Sequence, residues 1–298
     1  MAKLIECIPN FSEGRRSEVI EALVSEAQSV PGVILLDHSS DESHNRSVFT
    51  MVGSPEGIGE AAFRLAKKAA ETIDLTKHTG EHPRMGAVDV VPFVPIQDVT
   101  MEDCITLSKQ VAERVNSELG IPVFLYEESA SAPERKNLAA IRKGQFEGMP
   151  EKLKDPKWQP DYGKAEIHPT AGVVAIGARA PLVAFNINLS TSDIQIANNI
   201  AKIIRESSGG LKYVKSIGVM LEDRNIAQVS INMCNYVKTP LYRVFELVRA
   251  EAARYGVQII GSEIIGLTPM NALVDSAEYY LKLENFDSKV QVLENHLL

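Results

Sequence analysis

Cysteine is scarce and unpaired in this 298-residue chain. Cys7, Cys104 and Cys234 are odd in number, widely spaced and in no CxxC pair. This excludes a disulfide framework and fits reduced, mostly buried thiols in a cytosolic protein. Positive charge is also short: 31 Lys and Arg stand against 39 Asp and Glu, a net charge of −8. A broad nucleic-acid interface needs a basic face, so nucleic acid is not an expected partner. A local cationic cleft for a small anion is compatible with such a balance. No apolar run approaches the ~20 residues of a membrane helix. The opening Met1-Ala2-Lys3-Leu4-Ile5-Glu6 lacks the apolar core and cleavage site of a secretory signal. The expectation is a cytoplasmic protein without a membrane partner. GxGxxG, GxxxxGKS and GxSxG are all missing, so dinucleotide, triphosphate and serine-elbow chemistry have no support.

What is present is an ordinary globular composition, 45% apolar, at a length that suggests two domains. The first part reads as a strand (4–8), a helix (17–30), strands (33–37 and 47–52), a helix (55–73) and a strand (87–94). The second part repeats this order: strand (182–187), helix (190–205, capped by Ser190 or Thr191), a hairpin (214–221 and 226–232), helix (240–255) and strand (257–260). A β-α-β-β-α-β order is that of the split βαβ plait. The expected class is therefore α+β, with two tandem ferredoxin-like subdomains whose mixed or antiparallel sheets are covered by helices. The expected division is 1–179 and 180–298. A doubly wound parallel sheet is the alternative. The first part carries a further helix (101–119) and strand (122–126), then a long, weakly periodic stretch from 127 to 172. Long loops of this kind either line binding sites or make surface excursions. A last helix spans 270–283.

The segment most suited to chemistry is His78-Thr79-Gly80-Glu81-His82-Pro83-Arg84-Met85-Gly86, just ahead of a buried strand. Histidine titrates near neutrality and can move protons there. His78 and His82 have HxxxH spacing, but Gly80 and Pro83 oppose a helix, the acid is misplaced for HExxH, and no third ligand follows. A zinc pair is disfavoured; an acid–base histidine and a structural one remain in competition. Asn10 and Ser12 follow the first strand and could bind a ligand there, or Ser12 could cap the next helix. In the polar turn 37–46, Arg46 could clamp a carboxylate, or the turn could be a solvated hairpin tip. Gly163 and Gly172 bracket a loop in which backbone can approach a flat ligand.

Five stretches together identify the chain as similar to the formiminotransferase domain family: 6–14 (Glu-Cys-Ile-Pro-Asn-Phe-Ser-Glu-Gly), 35–37 (Leu-Leu-Asp), 80–87 (Gly-Glu-His-Pro-Arg-Met-Gly-Ala), 184–189 (Ala-Phe-Asn-Ile-Asn-Leu) and 261–267 (Gly-Ser-Glu-Ile-Ile-Gly-Leu). The resemblance covers nearly the whole chain. Some members carry a fused cyclodeaminase domain, whose activity is not expected here. The resemblance implies transfer of the formimino group from N-formimidoyl-L-glutamate to N5 of tetrahydrofolate, as in histidine degradation. It also implies a tandem ferredoxin-like fold, often dimeric, with folate held between the subdomains and no metal. It makes His82 the catalytic histidine. It makes Gly163, Lys164, Ala165, Glu166, Ile167, His168, Pro169, Thr170, Ala171 and Gly172 the folate loop, although 164–169 departs from the animal pattern. In this reading His82 takes the N5 proton and returns it to the leaving nitrogen, Glu81 orients His82 or steadies the amidine, and Arg46 and Arg84 bind the donor's carboxylates, with Asn10 nearby. Slow formyl transfer from 5-formyltetrahydrofolate to glutamate is an expected side reaction. A zinc hydrolase of formiminoglutamate and a non-catalytic folate-binding module are the competing classes.

Overall fold

A computed structural model describes residues 3–296. The chain is mixed α+β and divides into two compact units, Met1–Arg179 and Ala180–Leu298, each with its own sheet. The first unit runs β1 (Leu4–Cys7), β2 (Asn10–Phe11), α1 (Ser17–Gln28), β3 (Val33–Asp41), β4 (Arg46–Gly53), α2 (Pro55–Thr72), β5 (Val88–Gln97), α3 (Met101–Leu119), β6 (Val123–Glu127), α4 (Leu138–Arg142), α5 (Gln145–Lys152) and β7 (Val174–Ala178).

Its sheet begins at β3, which pairs antiparallel with β4. β1 and β2 act as one strand interrupted at Ile8 and Pro9, and both pair antiparallel with β4 on one side and β5 on the other. β7 and β6 then extend the sheet in parallel. Several helices start where a side chain satisfies a free N–H group of the first turn. Ser54 accepts from Gly57 N–H ahead of Pro55, and Thr100 and Asp103 form a reciprocal capping box. Ser12 does not cap α1, whose N-terminus carries no side-chain cap; just ahead of it the Glu13 carboxylate accepts from the N–H groups of Arg15 and Arg16, both at 2.9 Å. The main core lies between the sheet and α1, α2 and α3.

The stretch 127–172 is more ordered than its weak periodicity suggests. It holds α4 and α5, which pack with Met85, Val90, Phe124, Tyr126 and Val173 in a separate core on the other face of the sheet. This explains why β5 is buried at nearly every position rather than alternately. Lys152 fastens the end of α4. Its ammonium donates to the carbonyls of Ala140, Ile141 and Lys143 and sits 4.0 Å from the Trp158 ring centroid. Burial, with Lys143 nearby, pulls its pKa down to about 8.

The second unit runs β8 (Val183–Leu189), α6 (Ile194–Ile204), β9 (Val214–Leu221), β10 (Ile226–Met233), α7 (Leu241–Arg254), β11 (Ile259–Ile265), α8 (Met270–Leu281) and α9 (Ser288–Gln291). Its sheet is antiparallel throughout, in the order β11-β8-β10-β9. α6 starts later than periodicity indicates, because Asp193 rather than Ser190 or Thr191 caps it, accepting from Gln195 N–H. Ser190 instead accepts from Gln258 N–H at 2.9 Å. The last strand lies at 259–265 rather than 257–260, its apolar signal weakened by Gly261, Ser262 and Glu263.

Candidate active site

Three connections of the first unit meet at one end of its sheet: the β2–α1 loop, the tip of the β3–β4 hairpin, and the α2–β5 connection that carries the histidines. Hydrogen bonds between them are numerous. Asn45, with φ 48° at the hairpin tip, accepts from Gly14 N–H at 2.8 Å and donates to the Thr79 carbonyl at 2.9 Å. Ser12 donates to the Gly86 carbonyl at 2.7 Å, and Ser47 donates to that of Glu13. Gly80 is needed because a Cβ there would sit 2.4 Å from the His44 carbonyl oxygen.

The two histidines have separate environments. His78 Nε2 is 3.0 Å from the Asn45 carbonyl and its Nδ1 accepts from Arg84 Nε at 3.1 Å. Both nitrogens are engaged, which fixes the ring and removes it as a metal ligand alongside His82. His82 is half-buried, and its Nε2 is fully buried with no hydrogen-bond partner among the described residues. Burial, then the charges of Arg46 and Arg142, then His44 and His78, pull its pKa down to about 3. His82 is therefore neutral at ordinary pH. His44, bonded to Asp41 at 2.9 Å, lies edge-on with its centroid 6.4 Å from that of His82.

The predicted carboxylate binders divide. The guanidinium of Arg46 donates only to Asn10 Oδ1 among the described residues, a neutral acceptor. Burial and the nearby Arg142 weaken its hold on its proton, with Asp89 and Asp41 acting the other way. Arg84 is not available to a substrate. It is buried and forms a two-pronged pair with Glu147, at 2.7 and 2.6 Å, while also bonding Gln145 and His78. That pairing holds the Glu147 carboxyl down to about 2. Arg84 therefore positions His78 and joins α5 to the histidine loop. Glu81 does not orient His82. Its side chain is exposed and without a hydrogen-bond partner among the described residues; only its backbone N–H is used, on the Ser43 carbonyl at 3.2 Å.

The loop 163–172 is joined to the same place at its far end. Ala87 N–H donates to the Ala171 carbonyl and Val173 N–H to that of Met85, both at 3.0 Å. Gly172, at φ 68°, admits no Cβ: one would sit 2.2 Å from the Met85 carbonyl oxygen. Gly163, at φ 100°, rests against Asn116. Between them Lys164, Ala165, Glu166 and Pro169 are exposed, Ile167, His168 and Thr170 are half-buried, and Ala171 is buried. His168 Nδ1 accepts from Ala171 N–H at 3.0 Å, so this ring shapes the loop.

Two important residues escape sequence reading. Asp89, 2% exposed, accepts from Met85 N–H at 2.7 Å and from Arg142 at 2.5 Å. A lone acid inside the apolar run 87–94 was a readable sign of a buried, paired carboxylate. Arg142 had no such sign; only the folding of α4 onto the sheet brings it here.

A neutral, unpartnered histidine nitrogen among guanidinium groups is the equipment of an acid–base enzyme acting on an anionic substrate. Comparison with known proteins makes this specific. The formiminotransferase domain, N-terminal subdomain, matches residues 4–179, and the formiminotransferase domain matches residues 184–296. The chain belongs to the formiminotransferase family. It is 67% identical to the glutamate formimidoyltransferase of Streptococcus pyogenes serotype M1 over 100% of both chains. It is 50% identical to that of Thermoplasma acidophilum over 95% of this chain and 94% of the relative. The mouse formimidoyltransferase-cyclodeaminase is 45% identical over 99% of this chain, which spans 54% of that longer protein.

Proposed function

We propose that the chain is a glutamate formimidoyltransferase that moves the formimino group of N-formimidoyl-L-glutamate to N5 of tetrahydrofolate, its co-substrate, with His82 as the catalytic residue. Full-length relatives of that name support the activity. The observation that carries the site is the buried, unpartnered Nε2 of His82 beside Arg46 and Arg142.

In the reaction N5 attacks the amidine carbon, forming the N5–C bond and acquiring a proton it must lose. Neutral His82 accepts that proton. The C–N bond to glutamate then breaks as the imidazolium returns the proton to the departing nitrogen. Such transfers typically contribute about 10²–10⁴-fold, and alignment of the two substrates adds to this. Oxygen in place of the formimino NH permits slow formyl transfer from 5-formyltetrahydrofolate to glutamate by the same steps. The loop 163–172 holds folate, since its exposed middle is carried on a base joined to the strand that follows His82.

The finer reading of the fold is two ferredoxin-like subdomains, 1–179 and 180–298. It is supported by element order and by β11-β8-β10-β9 in the second sheet and β3-β4-β1-β5 within the first. A cytoplasmic homodimer rests on the family resemblance. The reaction calls for no metal in this reading, because His78 is committed to Asn45 and Arg84. The deciding experiment is an assay of formiminoglutamate consumption with and without tetrahydrofolate. Consumption only with tetrahydrofolate is expected. Hydrolysis without it would establish the competing hydrolase, and binding without turnover the folate-binding module.

A further inference from the structure

We propose that Arg142 and Arg46 together form the seat for a carboxylate of the formimino donor, and that the bound carboxylate makes His82 a competent base. The inference rests on the transferase reading above.

The geometry is local to the first unit. Asn10, which holds Arg46, pairs across the sheet with Val90, next to Asp89. Asp89 in turn spans the Arg142 guanidinium and the N–H of Met85, three residues along the chain from His82, and so ties α4 to the histidine loop. Within this patch the Asp89 carboxylate has both oxygens in use, on Met85 N–H and Arg142, and Asp41, which also acts on Arg46, is bonded to His44. Arg46 has only a neutral acceptor. The Arg142 Nε and the His82 Nε2 are buried and unpartnered. Buried polar groups normally find partners, and buried guanidinium groups normally find anions. Three unmet demands in one place, an anion for Arg46 and hydrogen-bonding partners for Arg142 Nε and His82 Nε2, are those a carboxylate-bearing amidine would meet.

The same arrangement resolves a difficulty in the chemistry. The charged and titratable groups facing His82 are Arg46 on β4, Arg142 on α4, His44 at the hairpin tip and His78 on its own loop, while Asp89 on β5 is bonded to Arg142. Their balance favours the neutral ring, as does burial. A ring so reluctant to hold a proton is a weak base for N5. A carboxylate laid across the two guanidinium groups offsets their field and returns proton affinity to His82 when the donor is in place. Arg142 thus binds substrate, and Asp89 is a positioning residue acting through it. Lys152, by fastening α4, holds Arg142 in reach.

The test uses the full chain with R142Q, R142K and the paired variant Asp89→Asn with Arg142→Gln, which avoids leaving a buried carboxylate alone. R142Q should raise KM for formiminoglutamate by about 10- to 100-fold, the cost of one charged hydrogen-bonding partner, and change KM for tetrahydrofolate by less than about threefold. R142K should recover part of the loss. In the wild type the acid limb of kcat should lie at higher pH than that of kcat/KM. In R142Q the kcat/KM limb should move up, since removing a positive charge raises the free ring's pKa. Calorimetry with glutarate provides a readout independent of turnover: binding by the wild type, lost in R142Q. Unchanged KM values, or a rise for tetrahydrofolate in place of formiminoglutamate, would overturn the assignment. Absence of transfer in a wild type that still binds glutarate through Arg142 would end the transferase reading and leave the anion seat standing.

Discussion

The two units share an order of elements and differ in what joins them. In the second unit the connection from α7 to β11 is a tight turn at 255–258, tied by its backbone to Ser190: Gln258 N–H donates to the Ser190 hydroxyl and Ser190 N–H to the Gln258 carbonyl. In the first unit the corresponding connection from α2 to β5, at 73–87, carries His78, His82 and Arg84. The first unit also adds α3, β6 and β7 to the same plan, and the excursion 127–172 covers the second face of its sheet. The added layer is what allows Asp89 to be buried and what delivers Arg142. Duplicating an arrangement of strands and helices supplies stability twice; the means for chemistry come from the lengthened connections of one copy.

The contrast can be broken most severely at His82. His82→Ala should lower kcat by about 10²–10⁴-fold with the thermal unfolding midpoint unmoved, because the ring's Nε2 has no protein partner to lose. Tyr255→Ala, in the matching connection of the second unit, should leave kcat within about twofold. Equal losses in the two variants would erase the distinction between the connections.

A second comparison uses glycine. Gly172 and Gly256 both have φ 68°, but a Cβ at Gly172 meets the Met85 carbonyl at 2.2 Å while at Gly256 nothing lies within 4 Å. Gly256→Ala should cost about 1 kcal/mol, the left-handed backbone penalty alone. Gly172→Ala should cost about 3 kcal/mol or more, since backbone must shift as well, and should reduce turnover with the displaced loop. Urea denaturation of both variants measures the difference.

The smallest effect concerns Arg84 and Glu147. The Glu147 side chain is 64% exposed although its partner is buried, so its stabilisation is screened. Its carboxyl is held below the ordinary range, so the contribution is present above about pH 4.5 and lost as pH falls through about 2. Glu147→Gln should therefore lower stability by no more than about 1 kcal/mol at pH 7, and the difference from wild type should vanish toward pH 2. A difference that grows on acidification would reverse the sign assigned here.

Much of the fold was legible along the chain because it depends on local signals. The helix at 101–119 is marked by its Thr100–Asp103 box and by Gly120 at φ 68°, and it runs over the residues its periodicity indicates. The hairpin at 214–233 follows from β-branched runs around a polar turn. The stretch 127–172 was illegible for the opposite reason: α4 has only five residues and α5 contains Pro150, so neither shows a helical period long enough to read. Both are held by what they pack on.

His82 was identifiable from its neighbours in sequence and from the family resemblance, and Arg46 from its place in a polar turn. Glu81 and Arg84 are equally close to His82 in sequence, yet Glu81 does not orient that ring and Arg84 is engaged by Glu147. A side chain's neighbours in sequence do not decide its partners, and Arg84 finds Glu147 across 63 residues. By itself, then, the sequence determined the order of the main strands and helices, the histidine loop as the candidate site and the family. Only the tertiary structure decided that both nitrogens of His78 are bonded while His82 Nε2 is not, that Arg84 is spent on Glu147, and that Arg142 stands near the His82 ring. Propensity and capping act within a few residues, whereas burial and charge act through space, between segments that meet only when the chain has folded.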